Sequence, residues 1–282
     1  MLRRWCISLA VLAVATAPAL TALATASASA QAATARPAVA TAHVTVSHGA
    51  LRNGGVAVHL SKPGSTAFNG HGGIAHEEES TNWSGYAADS GTYTSVSAEW
   101  VQPKGTCSGS GDKYSSFWVG LDGYSSESVE QTGTDTDCDG STPEYYGWYE
   151  MYPNPSYNFG SSISPGDTIK ASVTYEGSNK YQLSLSDVTK GWTSTTTKTL
   201  SGAPRNSAEV IIEAPCCTGS GGILPLADFG TVNVSDSLVN GAAIGTTSPA
   251  EIIMINNSGQ DKDTVSALSN NENFSATWVR SS

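Results

Sequence analysis

Histidine is missing from most of this chain. All five, His43, His48, His59, His71 and His76, precede Glu77, and nothing from Glu77 to Ser282 carries an imidazole. That absence removes Ser-His-Asp and Cys-His catalysis, which need an imidazole base, and most catalytic zinc sites, which draw on histidine ligands. Chemistry beyond Glu77 therefore falls to carboxylates, amides, hydroxyls or tyrosines. Acidic residues are as unevenly placed: residues 31–76 have none, so all 25 lie at or beyond Glu77. Nine of the 14 basic residues accompany them, a net of −16 from Glu77 onward, whereas the whole chain carries −11. So negative a body repels phosphate, which argues against a nucleic-acid partner, and fits solubility at a pH where many carboxylates are protonated. Also missing are a long apolar run after the N-terminus, a phosphate-cradling glycine loop and a metal-ligand cluster, so neither cofactor nor metal is expected.

The N-terminus reads as a processed leader. Met1-Leu2-Arg3-Arg4, an Ala/Leu/Val run and a closing Ala28-Ser29-Ala30 make residues 1–30 a signal peptide; Pro18 and the Ser/Thr that dilute the run argue against a membrane anchor. Residues 31–76, basic, acid-free and holding the histidines, read as a propeptide, and residues 77–282 as a mature domain long enough for one substantial core. The expected product is secreted and extracellular, not held at a membrane after processing, and monomeric. Opposite charges suggest that the leader covers the body near neutral pH. Acid then weakens the attraction by protonating carboxylates, against an opposing contribution from the leader's histidines.

Cys6 leaves with the signal, and Cys107, Cys138, Cys216 and Cys217 remain, an even count that favours disulfides with three possible connectivities. Cys107 with Cys138 is preferred because the two flank one compact Gly/Ser-rich segment. The adjacent Cys216 and Cys217 either close on each other, with a strained peptide, or each reach elsewhere.

From residue 82 onward, short runs of β-branched and aromatic residues are separated by Gly, Ser, Asn and Pro. Val96, Ala98 and Trp100 alternate with Ser95, Ser97 and Glu99, and Ile169, Ala171, Val173 and Tyr175 repeat the pattern. Further strands are expected at 181–185, 193–200, 208–214, 229–234, 251–255 and 274–279, with no convincing helix, so the fold is all-β, a sandwich or a barrel. Asn82, Asn233, Asn256 and Asn273 open glycosylation tripeptides.

Three segments stand out: Asn82-Trp83-Ser84-Gly85-Tyr86; Phe117-Trp118-Val119-Gly120-Leu121-Asp122-Gly123 leading to Glu130-Gln131-Thr132-Gly133-Thr134-Asp135; and Asn206-Ser207-Ala208-Glu209-Val210-Ile211-Ile212-Glu213. With Trp148-Tyr149-Glu150-Met151-Tyr152-Pro153 and Ala227-Asp228-Phe229-Gly230, they resemble the glutamic peptidase family, the eqolisins, over most of residues 82–280. The resemblance implies an antiparallel two-sheet β-sandwich, lectin-like or jelly-roll-like, and an endopeptidase working on protein substrates in acid. It implies a catalytic pair, carried here onto Gln131 and Glu213, with Trp118 and Asp122 in support and Asp135 closing the Gln-Thr-Gly-x-Asp motif. The chain departs from the family pattern at Val210, where tryptophan is frequent, at Ala214, where an acidic residue follows the catalytic position, and in an interval from Trp118 to Gln131 that is one residue short. These departures bear on subsite shape and substrate preference.

Strand geometry speaks to the same residues. Side chains alternate, so Glu209, Ile211 and Glu213 share one face, and two carboxylates there can act as acid and base, or merely form a solvated surface. Gln131 and Glu130 point oppositely; a glutamine amide can donate to an oxyanion without changing its charge in acid. Glu150 reads either as a hydrogen-bonded support or as a second acid. Two rivals remain: a glycoside hydrolase using paired carboxylates such as Glu150 and Glu213, and a non-catalytic carbohydrate-binding module.

Overall fold

The computed structural model describes residues 77–216 and 222–282; the expected signal peptide and propeptide at 1–30 and 31–76, and Cys217, lie outside the described residues. In chain order the strands are β1 Glu77–Ser80, β2 Trp83–Ala88, β3 Ser95–Val101, β4 Ser116–Leu121, β5 Val129–Asp139, β6 Thr142–Tyr152, β7 Tyr157–Ser162 and β8 Thr168–Gly177. There follow β9 Lys180–Asp187, β10 Trp192–Thr199, β11 Ala208–Glu213, β12 Thr231–Val239, β13 Ala242–Ala243, β14 Ala250–Met254, β15 Asp263–Val265 and β16 Phe274–Trp278. Helix among the described residues amounts to one 3-10 turn, Ile244–Thr247.

Two sheets form, as the sandwich reading expects. The first runs β1-β14-β2-β11-β4-β5-β6-β7 and the second β10-β9-β8-β3-β12-β16-β15, with β13 beside β12. One strand pairing departs from the antiparallel expectation, because β1 lies parallel to β14. The chain leaves β1, crosses the end of β14 at Thr81 and Asn82, and returns as β2 on the far side. Since β2 is antiparallel to β14, β1 has to run with it.

The two sheets bury their residues differently. In the second, Val96, Ala98 and Trp100 of β3 and Tyr181, Leu183 and Leu185 of β9 point inward, while the serines between them face out, the period of a half-buried strand. Facing them in the core are Phe117, Val119 and Leu121 of β4 and Val210 and Ile212 of β11. Burying a side chain of this size contributes about 1.5–3 kcal/mol. Strands β2, β4 and β11 do not alternate at all, since every residue in them is buried. Their other face carries a separate apolar layer of Trp83, Ala87, Trp118, Val129, Trp148, Tyr152, Ile211 and Ile252. Val210 and Ala214 belong to the inter-sheet core. Those two departures from the family pattern therefore lie in the packing between the sheets.

Polar ties fix β5 against the second sheet: Trp100 Nε1 donates to Thr134 Oγ1 at 3.0 Å, and Gln102 Nε2 to Thr136 Oγ1 at 2.8 Å. The Cys107–Cys138 disulfide forms, with Cα atoms 5.5 Å apart, and fastens the far end of the same strand. Cys216 is also disulfide-bonded, to a partner outside the described residues.

Several carboxyls are sealed inside. Glu130, on the inner face of β5, is pushed up from 4.5 to about 9, by burial first and then by the Asp122 charge beside it. Burial likewise raises Asp122 and pushes Asp263 up to about 7, despite the hydrogen bond Asp263 accepts from Ser84. Each holds its proton more tightly folded than unfolded, so its stabilisation is complete below its ordinary value and is lost as pH rises through the folded value. Lys262, lowered to about 8 by burial, opposes this only above that pH. Thermal unfolding should therefore occur at the highest temperature near pH 4 and at falling temperature from pH 5 to 8, with a shallower fall in Glu130→Gln. Melting points level across that range would contradict the assignment.

Candidate active site

Cross-strand register lays the candidate residues out as a grid on the outer face of the first sheet. Glu209 is level with Gly120, Gln131 and Glu150; Ile211 with Trp118, Gly133 and Trp148; Glu213 with Ser116, Asp135 and Tyr146. Residues directly opposite in a ladder share a face, so all of these project together, away from the inter-sheet core. Gln131 and Glu213 thus occupy diagonal positions two strands apart, on one side of the sandwich.

The Trp118 indole spans the diagonal. A Cβ on Gly133 would lie 2.2 Å from Phe117 O, and one on Gly120 would lie 2.8 Å from Trp118 Cζ3 and 3.3 Å from Gln131 Cβ. Glycine at 133 lets β5 approach the main chain of β4 at Trp118, and glycine at 120 leaves room for the six-membered edge of the ring near Gln131. At the other edge, Trp118 Nε1 donates to Glu213 Oε2 at 2.9 Å. Trp83 packs edge-on against Trp118, with ring centroids 4.9 Å apart.

Each member of the pair has a further partner. Gln131 Nε2 donates to Glu150 Oε2 at 3.0 Å, and Glu213 Oε1 accepts from Asn82 Nδ2 at 3.4 Å. The bond to Gln131 places Glu150 where a support stands. Glu150 and Glu213 are separated by three strand intervals with the amide and the indole between them, an unsuitable frame for two carboxylates flanking one sugar. Gln131, Glu150 and Glu213 are all fully buried.

Beside them, Asp135 accepts from Trp148 Nε1 at 2.6 Å, and Asp137 accepts from Tyr146 Oη at 2.6 Å and from Ser115 N at 3.2 Å. Burial first, and then the charge of Asp135, hold Asp137 well above the ordinary carboxyl range. Glu209 stands level with Gln131 but is held neutral by burial, reinforced by Asp122 and Glu130. Neither Glu209 oxygen closes a hydrogen bond of ordinary geometry, although the Ser207 hydroxyl and the Tyr124 main chain lie near enough to favour the charged form.

Asp122 does not join this group. It lies past the end of β4 in the left-handed region, φ 68°, and accepts from the backbone N–H of Arg205 and of Asn206, each at 2.9 Å. It fixes the loop entering β11 and also lies beside the Glu130 carboxyl, next to Gln131 on β5. Reasoning from sequence missed Asn82, Tyr146 and Asp137 as site neighbours. Asn82 was visible as the start of a motif, but only the register, with Trp83 opposite Glu213, brings it to the carboxylate. Its burial also closes it to glycosylation in the folded domain, whereas Asn233 is exposed. Among the described residues no three His, Cys, Asp or Glu side chains form a metal-holding cluster.

Known proteins resemble this chain in sequence and fold. The Peptidase A4 family model matches residues 81–278. Aspergillopepsin-2 of Aspergillus niger is 30% identical over 190 residues, covering 58% of this chain and 66% of that protein. Scytalidopepsin B of Scytalidium lignicola is 34% identical over 138 residues, 47% of this chain and 51% of that protein, so the matches span about half to two thirds of these relatives' lengths. Among solved structures, scytalido-glutamic peptidase with a transition state analog inhibitor superposes with a TM-score of 0.62 at 29% identity, covering 71% of this chain and 98% of that one. Aspergilloglutamic peptidase from Aspergillus niger gives 0.53 at 26%, covering 59% and 99%. With the model matched over most of its length and the same sandwich beneath, the chain belongs to the Peptidase A4 family, the eqolisins.

Proposed function

We propose that this is a secreted, acid-active glutamic endopeptidase in which Glu213 is the general base and Gln131 the oxyanion donor. The observation that carries the reading is the shared face: an amide and a carboxylate stand on either side of one indole, each held by a separate partner. Ionised Glu213 takes a proton from a water molecule, which attacks the scissile carbonyl carbon. Negative charge collects on the carbonyl oxygen, where an N–H of Gln131 meets it; the other N–H, on Glu150, fixes the amide's orientation. Glu213 then returns the proton to the leaving nitrogen as the C–N bond breaks. A glutamate in water titrates near 4.3, so such a base still works in acid that would protonate a histidine. The buried, protonated carboxyls support the same working range, since the fold is most stable where they stay neutral.

The activity is tested with denatured protein as substrate at pH 3–4. Glu213→Gln is expected to abolish cleavage, and Gln131→Ala to lower kcat by about 10²–10³-fold, the usual loss for one oxyanion donor. Wild-type rates in both folded variants would sink the reading.

We further propose that residues 31–76 act as the inhibitor. Their acid-free, basic composition matches a body of net −16, and the full burial of Gln131 and Glu213 means that turnover requires an opening. Full-length protein should stay inactive at pH 7 and, on incubation at pH 3, lose its N-terminal segment as activity appears. Equal activity at both pH values with the leader intact would overturn this.

A further inference from the structure

The turn between β1 and β2 is built around Glu213. Ser80 Oγ accepts from the backbone N–H of Asn82 at 3.4 Å and of Trp83 at 3.1 Å, and donates to Asn82 Oδ1 at 3.0 Å. An amide whose oxygen is taken by a hydroxyl has to turn its nitrogen the other way, and Asn82 Nδ2 faces Glu213 Oε1. The main chain repeats the connection, because Ala214 N, immediately after Glu213, donates to Asn82 O at 2.8 Å. The turn itself is tied to the end of β14: Ile255 N donates to Ser80 O at 2.8 Å, and the buried Lys262 places Nζ 3.5 Å from Thr81 O. Ser80 and Asn82 are both fully or almost fully buried.

We propose that Asn82, oriented by Ser80, is a positioning residue for Glu213: its amide N–H and the Trp118 indole N–H grip the two carboxylate oxygens and keep the group aimed and ionised. This rests on Glu213 being the general base. Both donors are neutral and neither gains a proton in acid, so their preference for the charged carboxylate persists at low pH. Titratable groups face Glu213 from the adjoining strands. Asp135 on β5 and Glu209 on β11 are acidic, Tyr146 on β6 is a neutral phenol, and Asp263, bonded to Ser84, belongs to the opposite face. Lys262, a cation at this turn, points to a backbone carbonyl.

The test is the pH profile of kcat/KM for peptide cleavage by acid-activated full-length protein. Asn82→Ala is expected to move the acid limb up by about one pH unit, the worth of one weak hydrogen bond to a charged group, leaving KM and the alkaline limb in place. Ser80→Ala should shift the limb the same way by less, and Ser80→Thr, which keeps the hydroxyl, should restore the wild-type limb. A uniform loss at all pH values with both limbs unmoved would reduce Asn82 to a structural turn residue and overturn the proposal; so would an unchanged profile. If Asn82→Ala does not fold, the Ser80 pair decides on the same criteria. Glu213→Gln run alongside separates the levels: if that variant cleaves normally, the general-base reading fails, whereas if it is inactive and the limbs do not move, only the role of Asn82 does.

Discussion

The site depends on one sheet being buried from both sides. A β-sheet in a sandwich ordinarily gives one face to the core and the other to water, and this second face is where most strands keep their polar residues. Here the second face of β2, β4 and β11 has its own layer of indole rings, and the carboxylates and amide stand among them. The Trp118 ring fits because Gly120 offers no side chain beneath it, and Gly133 lets the neighbouring strand come close. In such surroundings an ionised carboxylate is costly unless donors meet it. Trp118 and Asn82 meet Glu213, and the same poverty of solvent makes those two contacts count for more than they would at a surface.

Burial sorts the acidic residues into distinct classes along a single strand. Glu130 and Gln131 are neighbours on β5, yet one points into the core and keeps its proton while the other reaches the outer face. On β11, Glu209 and Glu213 share a face but not an environment: Glu209 is buried with Asp122 and Glu130 near it, and Glu213 lies between two N–H donors. Identical side chains four residues apart therefore differ in their hydrogen-bonding surroundings, and the difference comes from what the adjoining strands place beside them.

Much of this was readable before any coordinates. Period-two alternation located strands of the second sheet, β3 and β8, because there the inside–outside distinction is simple. It failed to distinguish β2, β4 and β11, where both faces are apolar, and a solvated face for Glu209 and Glu213 was a reasonable alternative on that evidence. Gln131, Glu213 and Trp118 were legible through motif order, and the geometry brings these three together. Asp122 was legible as a motif residue but its position was not, since a left-handed turn after β4 carries it to a different loop. Asn82 was hidden for the opposite reason. Its contact to Glu213 arises from strand order, with β14 inserted between β1 and β2, and a separation of 131 residues leaves no local trace.

That inserted strand bears on how the enzyme comes into being on the ribosome. Trp118 and Glu213 can meet once β11 has emerged, but β14 and Lys262 are made dozens of residues later, and it is they that anchor the turn carrying Asn82. A segment made after β11 thus completes the surroundings of Glu213, whose own strand was finished earlier. A chain that stops before β14 holds Trp118 and Glu213 without the strand to which the turn carrying Asn82 is tied.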